Sequence, residues 1–344
     1  RVNFATMEHE IKDVTILGAG PTGLFGLFYC GMRGASAQVI DALSQAGGQL
    51  TALYPEKYIF DVAGFTKVLA KDLVRSLEDQ AAQFGEPIHL NQHVTGLEQH
   101  DDHFVLVTQT DRFPTRSLLL AAGIGAFSPR RLPQAVAEPW YGRGIQDRVL
   151  DPEQYRGKRV IIIGGGDSAF DWAQQLRGTA ETISLVHRSD RFRAHASTVA
   201  DVLASADAGQ TRLFTFHELH DIHSSGDYFQ SVTLRHVKSK ELSEVECDVI
   251  LPMLGFVSDL GALKDWGLRL ENDEIVVNSQ METGRAGIYS AGDICTYPGK
   301  LKLIATGFAE AATAVNQAVH WVYPEKKVAP GHSSNMAVFG QKDD

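Results

Sequence analysis

Two glycine-rich turns, each set between a short apolar strand and a helical stretch, predict an α/β protein of two Rossmann-like, three-layer domains. A third observation orders them. The second turn begins at Gly164, yet another apolar strand at 288–290 and a helix at about 304–321 follow it. These late elements complete the first domain, so the second is inserted into it. The expected division is residues 1–122 plus 285–344 for the outer domain and its C-terminal tail, and 123–284 for the insertion.

The first unit opens with a strand at 14–17 and the turn Gly18-Ala19-Gly20-Pro21-Thr22-Gly23. A helix at 24–33 and a second strand at 37–40 follow. Gly18 permits the tight turn, Gly20 lets a pyrophosphate approach the backbone, and Gly23 lets the helix pack close to the strand. The free N–H groups and positive dipole end at the helix start suit phosphate. Asp41 ends the second strand. A carboxylate there accepts two ribose hydroxyls and repels a 2′-phosphate, which points to FAD or NAD rather than NADP.

Residues 94–100 and 103–108 alternate as short strands around a polar turn. An apolar strand at 118–120 then runs into Ala121, Ala122 and Gly123, and a strand at 248–251 leads to Gly255. Both small-residue segments read as crossings between the domains.

The second unit has a strand at 159–163, then Gly164, Gly166 and Ala169 in the G-x-G-x-x-A spacing. Asp167 and Ser168 fall at the helix start, where Ser168 can cap the helix or contact phosphate. A helix at about 170–176 and a strand at 182–186 follow. That strand ends in His187 and Arg188 where an acid is expected, with Arg191 and Arg193 close behind. A guanidinium fork matches two oxygens of a dianionic phosphate, so this turn is expected to select NADPH over NADH. One such turn serves one nucleotide; two imply two sites.

Composition limits the remaining readings. The chain has 344 residues, which suits two domains, and 44% hydrophobic with 22% charged residues is typical of a soluble globular protein. Its net charge of −10 argues against nucleic-acid and anionic-membrane partners. The longest apolar runs, such as 160–163, are far too short to span a bilayer. Lys67, Lys71 and Arg75 form one local basic cluster, and Lys300 with Lys302 another; each is either a solvated face or a surface for an acidic partner. Cys30, Cys247 and Cys295 show neither C-x-x-C nor zinc spacing, so no metal site is expected, and a disulfide framework is not. This fits a reducing cytoplasm. No secretory pattern opens the chain, and residues 1–6, ahead of Met7, are expected to be non-native.

Ala291-Gly292-Asp293, following the strand at 288–290 and preceded by Thr283-Gly284-Arg285, resembles the thioredoxin-reductase-like flavoproteins. The resemblance implies that Asp293 meets the ribitol of FAD and that the next helix points its N-terminus at the isoalloxazine, which decides for FAD at the first site. Thioredoxin reductases carry a C-x-x-C before the second glycine turn. The matching stretch here, 138–154 (EPWYGRGIQDRVLDPEQ), has no cysteine. Without a dithiol relay, electrons leave directly from FAD.

From about Met7 to Phe339 the chain resembles the thioredoxin-reductase-like ferredoxin/flavodoxin–NADP+ reductases. The most specific segments are 47–58 (GGQLTALYPEKY) and 61–65 (DVAGF), supported by 164–172 (GGGDSAFDW) and 330–334 (PGHSS). The resemblance implies that Thr22, Asp41, Gln49, Val94, Phe127, Asp293 and Ser334 contact FAD, and that Tyr54 stacks on one flavin face. It implies that His332 covers the other face from the partner subunit of a homodimer. The implied reaction passes a hydride between NADPH and FAD and single electrons between FAD and ferredoxin or flavodoxin. No side-chain nucleophile or metal is required. Ferredoxins and flavodoxins are generally acidic, so a basic docking face near the flavin edge is expected. Three other readings stay open: an NADPH oxidase or diaphorase using oxygen, quinones or dyes, a disulfide reductase using the scattered cysteines, and a non-catalytic FAD-bound redox sensor.

Overall fold

The computed structural model describes residues 9–147, 149, 151–226, 228–329, 331–336 and 339, with backbone alone at 126–128 and 256–258. The chain forms two compact units, one of residues 1–126 and 258–344, the other of 127–257.

In the first unit the strand Lys12–Leu17 leads through the glycine turn into helix α1 (Pro21–Met32) and the parallel strand Ala37–Ile40. Helix α1 starts at Pro21, earlier than expected; the fixed φ of proline suits the first helical position and its missing N–H costs nothing there. Helices α2 (Gln49–Leu53) and α3 (Ala70–Ala82) follow, then the strand Ile88–His89 on the far side of Ala37–Ile40. A meander of Val94–Gln99, Phe104–Thr108 and Arg112–Leu120 comes next. Its last strand is long enough for two tasks. Its first half pairs antiparallel within the meander, and its second half pairs parallel with Lys12–Leu17, placing Leu119 beside Ile16.

The second unit repeats the plan. The strand Arg159–Ile163, helix α4 (Asp167–Gln175), strand Thr182–His187, helix α5 (Ala196–Asp207) and strand Arg212–Thr215 build a parallel sheet that Val249–Pro252 completes. A meander of His217–Ser225, Tyr228–His236 and Leu242–Glu246 precedes that last strand. Strand alternation sorts the layers. Val160, Ile162, Leu185 and Leu251 pack with Phe170, Trp172 and Leu176 of the helical layer. Ile161, Ile163, Val186 and Ile250 pack with Phe229, Val232 and Leu234 of the meander. Both faces of the sheet are covered, which is why its strands read as unbroken apolar runs.

The chain crosses between units on the strands Ala126–Pro129 and Phe256–Asp259, which pair with each other. It then returns through Ile288–Ser290, parallel to Leu118–Leu120, and ends in helix α6 (Ile304–Val322). One boundary differs from expectation. Residues 258–284, assigned to the insertion from the sequence, belong to the first unit. Leu260, Leu263, Trp266, Ile275, Val277 and Met281 share a core with Leu118 and Ile288. The strand Glu274–Val276 pairs with Cys295–Thr296, and Trp266 O accepts the Arg285 guanidinium at 2.6 Å. The sequence reading missed this because the segment lacks a long periodic run.

Candidate cofactor sites

In the first glycine turn each glycine has its own geometric reason. Gly18 has φ +111°, and a Cβ there would sit 2.4 Å from Ala121 O. A Cβ at Gly23 would sit 1.8 Å from Gly18 O, so only glycine lets α1 lie this close to the strand. A Cβ at Gly20 would meet nothing within 4 Å. Gly20 is the N-cap of α1, and no side chain caps that helix. The turn therefore presents uncapped helix N–H groups beside open space that a methyl would fill, which is what a pyrophosphate needs.

Asp41 is brought to this turn. Its Oδ2 accepts Ala19 N–H at 2.6 Å and its Oδ1 accepts Leu43 N–H at 2.8 Å. Burial pushes its protonation range upward, and the two backbone donors oppose that shift. Each oxygen keeps a lone pair for a ribose hydroxyl. Thr22 packs between the two halves of the unit: a Cβ at Gly292 would lie 2.9 Å from its Oγ1, and one at Gly307 would lie 2.4 Å from it. Gln49, the first residue of α2, directs Nε2 to Asp293 Oδ2 at 3.4 Å. Tyr54 ends the same helix, and burial, then the Asp293 charge, raises its phenol to about 12. Thr22, Asp41, Gln49, Tyr54 and Asp293 thus gather around one glycine turn from three separate stretches of sequence.

The remaining first-site candidates stand apart. Val94 begins a meander strand and is half-buried against the core. Phe127 lies on a crossing strand, and its side chain is outside the described residues. His332 and Ser334 are exposed, His332 as the N-cap of a short turn at Ser333–Asn335. The tail leading to them is held by Arg33, whose guanidinium donates to Val328 O at 2.6 Å and Lys327 O at 2.7 Å. Arg33 caps the C-terminal end of α1, about 18 Å of helix from Gly20. Phe339 packs against Phe28 and Phe84.

The second turn follows the same logic. A Cβ at Gly164 would lie 2.3 Å from Met253 O, whereas one at Gly166 would meet nothing within 4 Å. Gly166 is the uncapped N-cap of α4, and Ser168 is exposed in its first turn. Asp167 Oδ1 accepts His195 N–H at 2.9 Å, and Gly165 O accepts Arg193 N–H at 2.7 Å. These two bonds fix the loop after the second strand against the turn. The His187 ring fills the space beside Gly165, with Nε2 3.2 Å from Arg191 O, and burial lowers its protonation range below that of a free imidazole. Arg188, Arg191 and Arg193 are exposed on this loop, and among the described residues none has a carboxylate partner. Unpaired guanidinium groups held beside a helix N-terminus suit a 2′-phosphate.

One arrangement was not visible in the sequence. Lys300, expected on a surface cluster, is buried with Glu310 of α6, its Nζ 2.5 and 2.6 Å from the two carboxylate oxygens. Glu310 also accepts Gly292 N–H and the Tyr297 hydroxyl, each at 2.7 Å. Its only sequence signal is an acid on the apolar side of a helix.

The family model described as pyridine nucleotide-disulphide oxidoreductase matches residues 12–318. The chain belongs to this family. It is 46% identical over 330 residues to a ferredoxin–NADP reductase of Halalkalibacterium halodurans, covering 96% of this chain and 99% of that protein. A ferredoxin–NADP reductase of Thermus thermophilus is 45% identical over 335 residues, covering 97% of this chain and 100% of that protein. Among solved structures, thioredoxin reductase of Lactococcus lactis has a TM-score of 0.76 at 24% identity, covering 91% of this chain and 99% of its own. That likeness bears on the fold.

Cys30, Cys247 and Cys295 are all buried and unpaired. Burial raises the Cys247 and Cys295 thiols to about 12, and Cys30 further. None can serve as a thiolate at neutral pH. Among the described residues no group of His, Cys, Asp and Glu could hold a metal ion, and no helix is long and apolar enough to cross a membrane.

Proposed function

We propose that this chain is a ferredoxin–NADP+ reductase, taking FAD at the first turn and NADP(H) at the second. One contrast carries the reading: each turn opens on a glycine with no room for a Cβ and ends on an N-cap glycine beside open space, but one unit's second strand ends at the buried carboxylate of Asp41 and the other's leads to Arg188, Arg191 and Arg193. The first arrangement accepts ribose hydroxyls; the second accepts a phosphate on the ribose. The names of the relatives support the partner, and the buried cysteines leave no dithiol to receive electrons.

When bound, FAD supplies the redox chemistry, taking a hydride from NADPH and exchanging single electrons with ferredoxin or flavodoxin. The chain's own residues bind and orient. Gly18, Gly20 and Gly23 with the start of α1 receive the pyrophosphate, Asp41 the ribose, and Asp293 with Gln49 the ribitol. Tyr54 keeps its phenolic proton at any physiological pH, so it offers the flavin an uncharged aromatic surface. Gly164, Gly166 and Ser168 receive the second pyrophosphate, and the three arginines fix the 2′-phosphate. Asp167 and His187 hold that arginine loop in place.

His332 and Ser334 act across a homodimer in this proposal: Arg33 holds the start of their own tail at the far end of α1 from the glycine turn. Val94 and Phe127 are further flavin contacts, residues 1–126 with 258–344 form the FAD domain, and the protein works in the cytoplasm. Docking of an acidic carrier weakens as salt rises.

The test is anaerobic stopped-flow mixing of the yellow holoprotein with NADPH or NADH, then a steady-state assay with ferredoxin and cytochrome c. Rapid bleaching by NADPH, slow bleaching by NADH and cytochrome reduction that requires ferredoxin are expected. Bleaching without ferredoxin dependence would turn the assignment to an oxidase or diaphorase. No bleaching by either nucleotide would remove the second site.

A further inference from the structure

The Lys300–Glu310 pair is placed in an unusual way. Both side chains are within 5% of complete burial. Glu310 clamps both ends of one loop. Oε2 accepts the backbone N–H of Gly292 at 2.7 Å, while Oε1 accepts the Tyr297 hydroxyl at 2.7 Å. Lys300 Nζ reaches both oxygens. The Cys295 thiol lies 3.7 Å from Oε2 and donates to Gly292 O at 3.3 Å. Every bond of the cluster converges on the loop that opens at Gly292, the residue before Asp293.

A buried ion pair is seldom retained for stability alone, since a well-packed apolar pair of similar volume does as well or better. This one satisfies a particular peptide N–H. Gly292 has φ +81° and is pressed against Thr22, so its peptide is set from one side by contact and from the other by Glu310. The N–H that Glu310 holds belongs to the Ala291–Gly292 peptide, so only the backbone of Gly292 separates it from Asp293.

We infer that Glu310, charge-balanced by Lys300 and steadied by Tyr297, is a positioning residue that fixes the Gly292 peptide and so aims the Asp293 carboxylate at the cofactor. The inference rests on the reading of Asp293 as a flavin ligand.

The experiment compares two charge-free double variants. K300M/E310Q keeps an amide oxygen to accept Gly292 N–H. K300M/E310L removes the acceptor at similar volume. Holoprotein is diluted, and FAD release is followed by the fluorescence of the freed flavin; the visible spectrum is recorded beforehand. K300M/E310L is expected to release FAD about tenfold faster than the parent, the effect of one buried donor left unsatisfied. K300M/E310Q should stay within about threefold of the parent. The flavin bands of K300M/E310L should shift and those of K300M/E310Q should not. Equal release rates and identical spectra for both variants would overturn the inference. D293A separates the two levels: parental release from D293A would sink the flavin-ligand reading itself, whereas fast release from D293A with parental release from K300M/E310L would sink only the clamp. If K300M/E310L does not fold, Y297F removes one donor to Glu310; faster release than the parent supports the clamp, and the parental rate overturns it.

Discussion

The Asp41 carboxylate accepts the backbone N–H of Ala19 at 2.6 Å, tying the end of the second strand to the glycine turn after the first. Leu43 N–H binds the other oxygen, so the buried charge is met by two peptide dipoles. Burial nevertheless raises its protonation range above the ordinary 3.8. The folded chain holds this proton more tightly than the unfolded chain does. The stability linked to Asp41 is therefore full below the ordinary value and is lost as pH rises through the raised one. Asp41→Asn abolishes that titration. In melts of flavin-free protein, the Tm difference between D41N and parent should move in favour of D41N as pH rises from about 4 towards neutrality. A difference independent of pH, or one of opposite sign, contradicts this account.

The glycines of the first turn separate folding from binding. Gly20→Ala adds a methyl that meets nothing within 4 Å, so it should cost the flavin-free protein no more than about 1 kcal/mol. The methyl occupies the space assigned to the pyrophosphate, and FAD should leave G20A holoprotein at least about tenfold faster, the loss of about 1.4 kcal/mol. Gly23→Ala puts its methyl 1.8 Å from the Gly18 carbonyl. It should cost about 3 kcal/mol in denaturant melts. Comparable stability losses in the two variants would refute the division of roles.

These glycines show what the sequence could carry. A dinucleotide turn is a local device of strand, three small residues and helix start, and its spacing is visible in one dimension. The acid and the arginines after the second strands were legible for the same reason, since the fold fixes their distance from the turn. The roles of Asp293 and Tyr54 needed a resemblance, because only tertiary packing brings Asp293 to Gln49 and Tyr54. Lys300 was misread as a surface charge: a lysine among glycine, proline and leucine gives no local sign that a buried acid ten residues on will receive it. Residues 258–284 were misassigned because their strands are too short for periodicity to show. What escaped the sequence was in each case set by tertiary packing and not by a local pattern.

The thiols give a prediction about access. All three cysteines are buried, and burial holds each as a thiol at neutral pH. Native holoprotein should leave a chromogenic disulfide reagent unreacted at pH 8, and denatured protein should titrate three thiols. The C30A/C247A/C295A variant should keep ferredoxin-dependent turnover within about threefold, since substitutions of this kind act on packing, not on chemistry. Loss of turnover in a folded triple variant, or rapid labelling of native protein, would restore a thiol pathway.

Nucleotide preference rests on a loop that is held as well as charged. Arg188 and Arg193 stand without carboxylate partners among the described residues. The loop that carries them is fixed by Asp167 accepting His195 N–H and by Gly165 O accepting Arg193 N–H. A hydrogen bond to a charged group contributes about 1.5–3 kcal/mol, so R188A/R193A should raise the KM for NADPH at least about tenfold. The KM for NADH, which has no 2′-phosphate, should change less than about twofold. Asp167→Ala touches no phosphate oxygen, yet it frees the loop and should lose part of the same preference. Asp167→Asn retains an oxygen for His195 N–H and should recover most of it. D167A matching the parent in its NADPH-to-NADH ratio would show that the arginines need no such anchor. D167N failing alongside D167A would show that the charge of Asp167, and not its hydrogen bond, is what matters.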